Sequence, residues 1–415
     1  MHHALRAFRH PNYVRYFAGQ SVSILGTWIQ TIALSWLVYR LSGSAFLLGL
    51  TGFAAQIALL IFAPFGGIWA DRFDRRRALV VTQWLSIALT AVLVVFTWSG
   101  APNVWVVISI AALLGIVQAL ETPVRSSLTP ELVPVKADLP SAIAFSGGMQ
   151  NVGRMLGPTI AGLMLLWFNE SICFLFNAIS KFGVLVSLAY LRYETQPVLA
   201  PATNVWTSIR DGAQYTWNLI PLRYLLPMMA LMSFCITPYQ ALMPIFAAEI
   251  FGGGASMLGF LVGAAGFGGL LAVAYLAARP RLQGLARWAA IAPGLSGAAL
   301  LAFTFSRSLP LSLACMLVVG FGVLTMAMVL NTIIQVVCEP EKRGRVTSYY
   351  IICFMGMHPL GCLAAGALAE AIGAPHALAI FGATCVAGAA GLAYQMPRVR
   401  AALRPLYQRA GVMDS

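Results

Sequence analysis

Residues 67–77 read Gly-Ile-Trp-Ala-Asp-Arg-Phe-Asp-Arg-Arg-Arg, a short charged segment between two long apolar runs. Each run, at residues 46–70 and 78–98, has the length of a helix that crosses ~30 Å of bilayer hydrocarbon, which needs about 20 residues. Only 9% of the 415 residues are charged and 60% are apolar. Because a soluble domain carries roughly 25% charged residues, this composition predicts a protein that exposes most of its surface to lipid.

The alternation of apolar runs and short polar breaks continues along the chain and predicts twelve membrane spans. They cover residues 17–39, 46–70, 78–98, 103–123, 141–167, 171–191, 222–249, 256–278, 287–305, 310–335, 347–369 and 375–396. If both termini are cytoplasmic, 22 of the 26 Lys and Arg residues fall in inner segments. Since cytoplasmic loops are enriched in Lys and Arg, this bias supports twelve spans with both ends inside.

The chain divides into two halves of similar length that resemble each other. The predicted domains are a six-helix bundle at 1–191, a cytoplasmic linker with an amphipathic helix at 192–221, and a six-helix bundle with a short cytoplasmic tail at 222–415. Gly157 and Gly162 match Gly361 and Gly366 at a constant offset of 204 residues. Two parallel six-span repeats around a central site are a transporter architecture. We therefore predict an all-α membrane protein of two pseudo-symmetric six-helix bundles.

The loop at 67–77 resembles the signature of the major facilitator superfamily, G-x-x-x-D-R-x-x-R-R, which follows the second span. The residues that match are Gly67, Asp71, Arg72, Arg75 and Arg76. The resemblance implies the major facilitator fold and a conformational latch that holds the outward-facing state. A simple run of topogenic charge is the alternative, and it explains the arginines but not Gly67 and Asp71 at this spacing. The corresponding loop of the second half, 279–287, keeps basic charge without the acid.

The fifth span contains a second motif, since residues 153–162 resemble the pattern G-x-x-x-G-P-x-x-G-G of exporter branches, with Ala161 as one departure. The matching residues are Gly153, Gly157, Pro158 and Gly162. Close helix packing explains such glycines equally well, so uptake stays an alternative to export. Segments 8–13, 130–134, 173–180 and 343–346 resemble the enterobactin-exporter-like branch, which includes macrolide efflux proteins. This resemblance implies a multi-pass protein of the bacterial cytoplasmic (inner) membrane that exports a siderophore-like or drug-like molecule.

Polar side chains within the spans are the candidates for contact with a substrate or a proton. Span one carries a polar stripe at helical spacing, for which hydrogen bonding between helices is the alternative. Arg154 and His358 differ by the same offset of 204 and would be equivalent, so a central site would favour an anionic or polyphenolic substrate. Arg154 could instead satisfy backbone carbonyls. The candidates are Gln20, Thr27, Gln30, Thr31, Glu121, Arg125, Arg154, Tyr239, Gln240, Asn331 and His358.

The group that would couple transport to protons has several candidates. Glu121 lies near the inner end of span four, where Arg125 on the same helix face could neutralise it. His358 lies well inside span eleven, and the ordinary pKa of its imidazole is near neutrality. The other candidates are carboxylates near the outer ends of spans: Glu170, Glu249 and Glu370. Lys181 lies on span six, where packing or snorkelling is the simpler role.

The sequence argues against several other classes of protein. Although the net charge is +13, the charges lie in short tracts between spans, so nucleic acid is not expected. The sequence contains no Walker-type loop, so we predict that the protein binds no nucleotide. Its seven Cys and five His are scattered and form no catalytic or metal-binding cluster, so we predict no metal, no cofactor and no enzyme activity. The prediction is a secondary active exporter, a monomer whose partners are membrane lipid, a small-molecule substrate and protons. A lysophospholipid or lipid flippase of the same fold is the alternative.

Overall fold

The computed structural model describes residues 6–72, 74–100, 102–191, 214–279 and 284–409, without the side chains of residues 63–72, 340 and 409. Within these ranges the chain is helical and contains no strand. The helices are a 3-10 turn Arg6–Arg9, α1 Pro11–Ser42, α2 Ala45–Arg72, α3 Arg75–Trp98, α4 Val104–Leu132, α5 Leu139–Trp167, α6 Glu170–Ala189, α7 Ile220–Cys235, α8 Tyr239–Ile245, α9 Ala255–Ala277, α10 Leu285–Phe305, α11 Leu309–Val337, α12 Pro340–Ile351, α13 Met357–Ile372 and α14 Ala374–Arg409. Two π-helical turns, Phe246–Ile250 and Ile352–Gly356, follow α8 and α12.

Eleven helical segments among the described residues are long and apolar enough to cross a membrane. The remaining predicted span corresponds to α5, whose 29 residues extend ~43 Å at 1.5 Å per residue. Gln150, Asn151 and Arg154 lower the hydropathy of the middle of this helix. The prediction of a multi-pass all-α membrane protein is therefore confirmed.

The chain forms two compact units. The first comprises Met1–Ala200 and Ala247–Gly263, and the second comprises Pro201–Phe246 and Ala264–Ser415. Residues 247–263, which the predicted division assigns to the second bundle, thus group with the first unit. The predicted linker lies mostly outside the described residues, so its amphipathic helix and the domain boundaries stay predictions.

In the first unit, α1 approaches α6 closely because both helices present small residues to each other. A Cβ atom added at Gly19 would lie 2.8 Å from the backbone oxygen of Gly183. A Cβ atom added at Gly26 would overlap the hydroxyl of Ser180. In lipid, where helices gain little from apolar contact alone, such backbone proximity supplies much of the packing energy.

The segment before α1 is anchored to the start of α5. The Nε2 atom of His10 lies 3.1 Å from a carboxylate oxygen of Asp138, and the Tyr13 hydroxyl donates to the backbone oxygen of Ala142 at 3.0 Å. Phe8 and Phe145 pack edge to face, with ring centres 4.7 Å apart. Aromatic packing and hydrogen bonds thus hold the start of α1 and the residues before it against the start of α5.

In the second unit, the seventh predicted span is a broken helix. Helix α7 ends at Cys235 and α8 begins at Tyr239. Pro238, which has no N–H to donate, lies in the break, and the Thr237 hydroxyl donates to the backbone oxygen of Ser233 at 2.6 Å. Breaks of this kind within a membrane expose backbone groups that can serve a binding site.

Candidate functional site

Buried polar side chains connect α1, α3 and α6 in the first unit. The Oε1 atom of Gln30 accepts hydrogen bonds from Thr90 Oγ1 at 3.2 Å and from Asn177 Nδ2 at 2.6 Å. Near the start of α6, Ser171 Oγ donates to Thr97 Oγ1 at 2.8 Å. Because an unpaired polar group in a membrane interior is costly, these bonds hold the three helices together. Gln30 thus makes the interhelical hydrogen bonds that are the alternative to substrate contact.

The other residues of the polar stripe on α1 differ in their surroundings. The hydroxyls of Thr27 and Thr31 donate to backbone oxygens one turn earlier in their own helix, at 2.9 and 2.8 Å. Gln20 is buried, and its Oε1 atom has no hydrogen-bond partner among the described residues. A buried amide oxygen of this kind needs a donor from water or from a ligand.

Glu121 of α4 lies in the interior of the first unit with two basic residues. Its side chain is 10% exposed, and its Oε1 atom lies 3.8 Å from a guanidinium nitrogen of Arg125. Lys181 of α6 is also buried, and it lies within electrostatic range of both Glu121 and Arg125. We call these three residues the interior charge cluster. Since Lys181 is buried inside the unit, it does not snorkel to the membrane surface.

The interior charge cluster has the chemistry needed to bind and release a proton. Charges inside a membrane protein are costly unless they are paired, and they cluster where ions or protons pass. Gain or loss of one proton changes the buried charge by one unit.

The glycine motif of α5 packs against Trp28 of α1. A Cβ atom added at Gly153 would lie 3.0 Å from Trp28 Cδ1, and one added at Gly157 would overlap the Trp28 side chain. The guanidinium carbon of Arg154 lies 5.4 Å from the centre of the Trp28 ring, within the range of a cation–π interaction. The motif thus brings the cation of α5 onto the aromatic ring of α1.

The last glycine of the motif faces the start of α9. A Cβ atom added at Gly162 would lie 3.0 Å from the Cα atom of Gly259, and one added at Gly259 would lie 2.5 Å from the backbone oxygen of Pro158. The predicted motif residues Gly153, Gly157, Pro158 and Gly162 are therefore all positions of close helix contact in the first unit. Whether they also set the direction of transport stays a prediction.

Two of the predicted outer carboxylates have clear partners in the first unit. Arg40 donates to both carboxylate oxygens of Glu170, at 2.8 and 3.1 Å. The Tyr39 hydroxyl donates to Glu249 at 3.1 Å. Glu370 is exposed on α13 of the second unit. The paired carboxylates join the end of α1 to the start of α6 and to the π-helical turn Phe246–Ile250.

His358 lies beside the break in the seventh span. Its Nδ1 atom lies 2.7 Å from Thr237 Oγ1, and its Nε2 atom lies 3.6 Å from the Cys362 sulfur. The π-helical turn Ile352–Gly356 ends just before it, and such turns occur frequently at functional sites. Cys362 and both π-helical turns are absent from the predicted site, and the sequence gives no clear signal for a π-helical turn.

The other predicted residues of the second unit lie on α8 and α11. Tyr239 is buried and its hydroxyl accepts a hydrogen bond from Gln240 Nε2 at 3.3 Å. Asn331 is exposed on α11. A Cβ atom added at Gly361 would overlap the backbone oxygen of Phe234, so α13 packs directly on the broken helix that carries Tyr239.

The described arginines of the signature loop make contacts within the first unit. Arg75 pairs with Glu131 of α4 and donates to the backbone oxygen of Ser127 at 3.3 Å. Arg76 donates to the backbone oxygen of Ala189 at the end of α6 at 2.9 Å. Gly67, Asp71 and Arg72 lie in the part of α2 whose side chains are outside the described structure, so their role in a latch stays a prediction. Glu131 is absent from the predicted site, and the acid after span four is the signal that could have revealed it.

Buried charges and a broken span within a multi-pass helical protein are typical of membrane transporters. A family model described as transmembrane secretion effector matches residues 3–410, so the chain belongs to this family of the major facilitator superfamily. It is a transporter of small molecules and not an enzyme.

Comparisons with known proteins agree with this assignment. The chain is 26% identical over 372 residues to the staphyloferrin A transporter of Staphylococcus aureus, which covers 89% of this chain and 93% of the relative. It is 24% identical over 376 residues to macrolide efflux protein A of Streptococcus pyogenes, with 87% and 90% covered. The solved structure of a bacterial homolog of the human lysosomal transporter Spinster matches with a TM-score of 0.68 at 14% identity, over 98% of both chains. The major facilitator fold is thus confirmed.

Proposed function

We propose that the protein exports a small amphipathic or anionic molecule across the cytoplasmic membrane by alternating access, in exchange for protons. The observation that carries this proposal is the interior charge cluster, which places Glu121 beside Arg125 and Lys181 in the first unit. Two relatives are named for staphyloferrin A transport and macrolide efflux, which supports a siderophore-like or drug-like cargo.

In this proposal Glu121 is the residue that carries the proton. It is ionised while the substrate moves outward, and Arg125 and Lys181 stabilise its negative charge. It is protonated from the outside during the return step and releases the proton to the cytoplasm. The proton gradient therefore drives the step in which no substrate is bound.

Transport into proteoliposomes with and without an imposed pH gradient tests this role, with radiolabelled staphyloferrin A and a radiolabelled macrolide as probes. Glu121→Gln should lose the stimulation by the gradient and keep exchange of the probe at zero gradient. Glu341→Gln changes an exposed acid of the second unit in the same way and should behave like the wild type. If Glu121→Gln still responds to the gradient, the interior charge cluster does not carry the proton.

We further propose that Arg154 recognises the anionic part of the cargo. Its cation–π interaction with Trp28 holds the guanidinium in place while its N–H groups can bind a carboxylate. Arg154→Ala should abolish transport of staphyloferrin A but retain macrolide transport and membrane insertion. Wild-type transport of both probes would leave Arg154 with a structural role only.

The proposed transporter is a monomer with both termini in the cytoplasm. We infer that both termini face the cytoplasm, because basic residues of the chain concentrate in the segments on that side. A membrane-impermeant reagent should label a cysteine added at the C-terminus only after the membrane is permeabilised. Each chain contains both six-helix halves, so we expect the monomer to transport, which reconstitution at one chain per vesicle would test.

A further inference from the structure

An apolar groove lies between α7 and α14 of the second unit. Its volume is about 200 Å³, and its lining includes Tyr224, Pro227, Met228 and Leu231 of α7 and Gly388 and Gly391 of α14. A Cβ atom added at Gly388 would overlap the Leu231 side chain, so the two helices touch there. A Cβ atom added at Gly391 has no neighbouring atom within 4 Å, so the space beside this lining residue is open.

The groove opens away from the interior of the second unit. Pro227 and Gly391 are exposed, whereas the adjacent Met228 and Leu392 are buried. From Tyr224 to Leu231 the groove runs ~10 Å along α7, at 1.5 Å per residue. One leaflet contributes about half of the ~30 Å of bilayer hydrocarbon. The groove therefore has the length and the apolar lining to hold part of one acyl chain.

Two arginines lie at one end of the groove, on its exposed side. Arg223 precedes Pro227 by four residues and Arg398 follows Gly391 by seven, so helical periodicity puts each arginine on the exposed face of its helix. Helices α7 and α14 belong to the first and the last of six consecutive spans, so they run in opposite directions. The start of α7 and the end of α14 are therefore at the same membrane surface.

Both arginines are available to a negatively charged group. The Arg223 guanidinium lies 5.0 Å from the centre of the Trp217 ring, and Arg398 donates to Gln395 Oε1 at 3.0 Å. In the part of the chain that the structure describes, neither arginine forms an ion pair. Trp217 and Tyr394 are 60% and 82% exposed at the same end, as is typical of aromatic residues at a membrane interface.

We propose that this groove binds one anionic phospholipid as a resident ligand. An acyl chain lies against Pro227 and Gly391, and the phosphate contacts Arg223 and Arg398. The proposed orientation places this lipid in the cytoplasmic leaflet. The site lies entirely in the second unit, apart from the interior charge cluster, so its test and that of proton-coupled export can fail separately.

Native mass spectrometry of the purified full-length protein with added phosphatidylglycerol or phosphatidylcholine tests the proposal. We expect one saturable phosphatidylglycerol adduct and weaker binding of phosphatidylcholine. A basic residue at an anionic membrane surface is worth ~1 kcal/mol, which is about fivefold in affinity, so Arg223→Gln with Arg398→Gln should weaken phosphatidylglycerol binding roughly 25-fold. Arg287→Gln, at another exposed arginine of this unit, should leave it unchanged.

A second variant fills the groove without removing charge. Gly391→Leu places a side chain in open space and raises helix propensity, so the protein should fold, and the adduct should be lost for both lipids. Equal affinity for the two lipids, or wild-type binding by either variant, would overturn the proposal. Protein-dependent movement of labelled phosphatidylglycerol between leaflets would also overturn it, since the lipid would then be cargo.

Discussion

Loss of the Arg75 guanidinium should lower the free energy of unfolding of the first unit, because its buried ion-pair partner Glu131 would be left without a counter-charge. Arg75 pairs with Glu131 and also donates to the backbone oxygen of Ser127, and the two charged side chains are only 10% and 13% exposed. Removal of one partner of a buried ion pair costs ~3–5 kcal/mol, because the other charge stays buried without compensation. The remaining exposure lets water reach Glu131, so we expect the lower limit, about 3 kcal/mol.

Thermal unfolding of the purified protein in one detergent measures this effect. A loss of about 3 kcal/mol lowers the Tm by roughly 6–12 °C for a cooperative unit of 150–250 residues. Arg76→Gln is the matched control for Arg75→Gln, because Arg76 reaches backbone oxygens and should cost only ~1 kcal/mol. Arg75→Met combined with Glu131→Leu should regain most of the stability, since it leaves no buried charge uncompensated.

Additive effects of the two substitutions on stability would refute the ion pair between Arg75 and Glu131. If the effects of Arg75→Met and Glu131→Leu add in the double variant, the two side chains are not coupled and the ion pair is wrong. Transport assays of the same variants distinguish a structural role of Arg75 from a role in the predicted conformational latch. If the double variant regains the Tm of the wild type but does not transport, Arg75 and Glu131 belong to the predicted conformational latch.

Two further predictions concern helix contacts of the first unit. Gly157→Leu should severely reduce the yield of folded, monodisperse protein, because the new side chain overlaps Trp28. Gly147→Leu is the control, since its side chain points into open space and the yield should equal that of the wild type. Equal yields of the two variants by size-exclusion chromatography would contradict the packing of Gly157 against Trp28. Asn177→Leu should destabilise the unit by ~1–3 kcal/mol, since it removes the 2.6 Å hydrogen bond to Gln30, and an unchanged Tm would mean that this bond is not formed.

The spans were predictable because length and hydropathy are local properties of the chain. Most helices begin and end within a few residues of the predicted spans, with larger differences at Pro11, Leu132, Pro340 and Arg409, where helices extend past the apolar run. The break near Pro238 has a local signal in the proline itself. The π-helical turn Ile352–Gly356 has none, and in the structure this turn packs against α7 of the broken span.

The site was only partly predictable, because the rotation of a helix about its axis is set by its neighbours. Glu121 and Arg125 are one turn apart, so their proximity follows from the sequence. The place of Lys181 beside them depends on which face of α6 turns inward, and a mostly apolar helix gives little indication of that face. The pairing of Arg75 with Glu131 likewise joins residues far apart in the chain.

The modest hydropathy of α5 has a consequence for how the protein is made. Arg154 lies near the middle of this helix, and an arginine at the centre of an inserting segment costs ~2.5–3.5 kcal/mol on the translocon scale. When α5 leaves the ribosome, α1 has already been synthesised and can offer Trp28 to this cation. The helix would therefore enter the bilayer against α1 rather than alone, and a nascent chain without α1 would leave α5 outside the membrane.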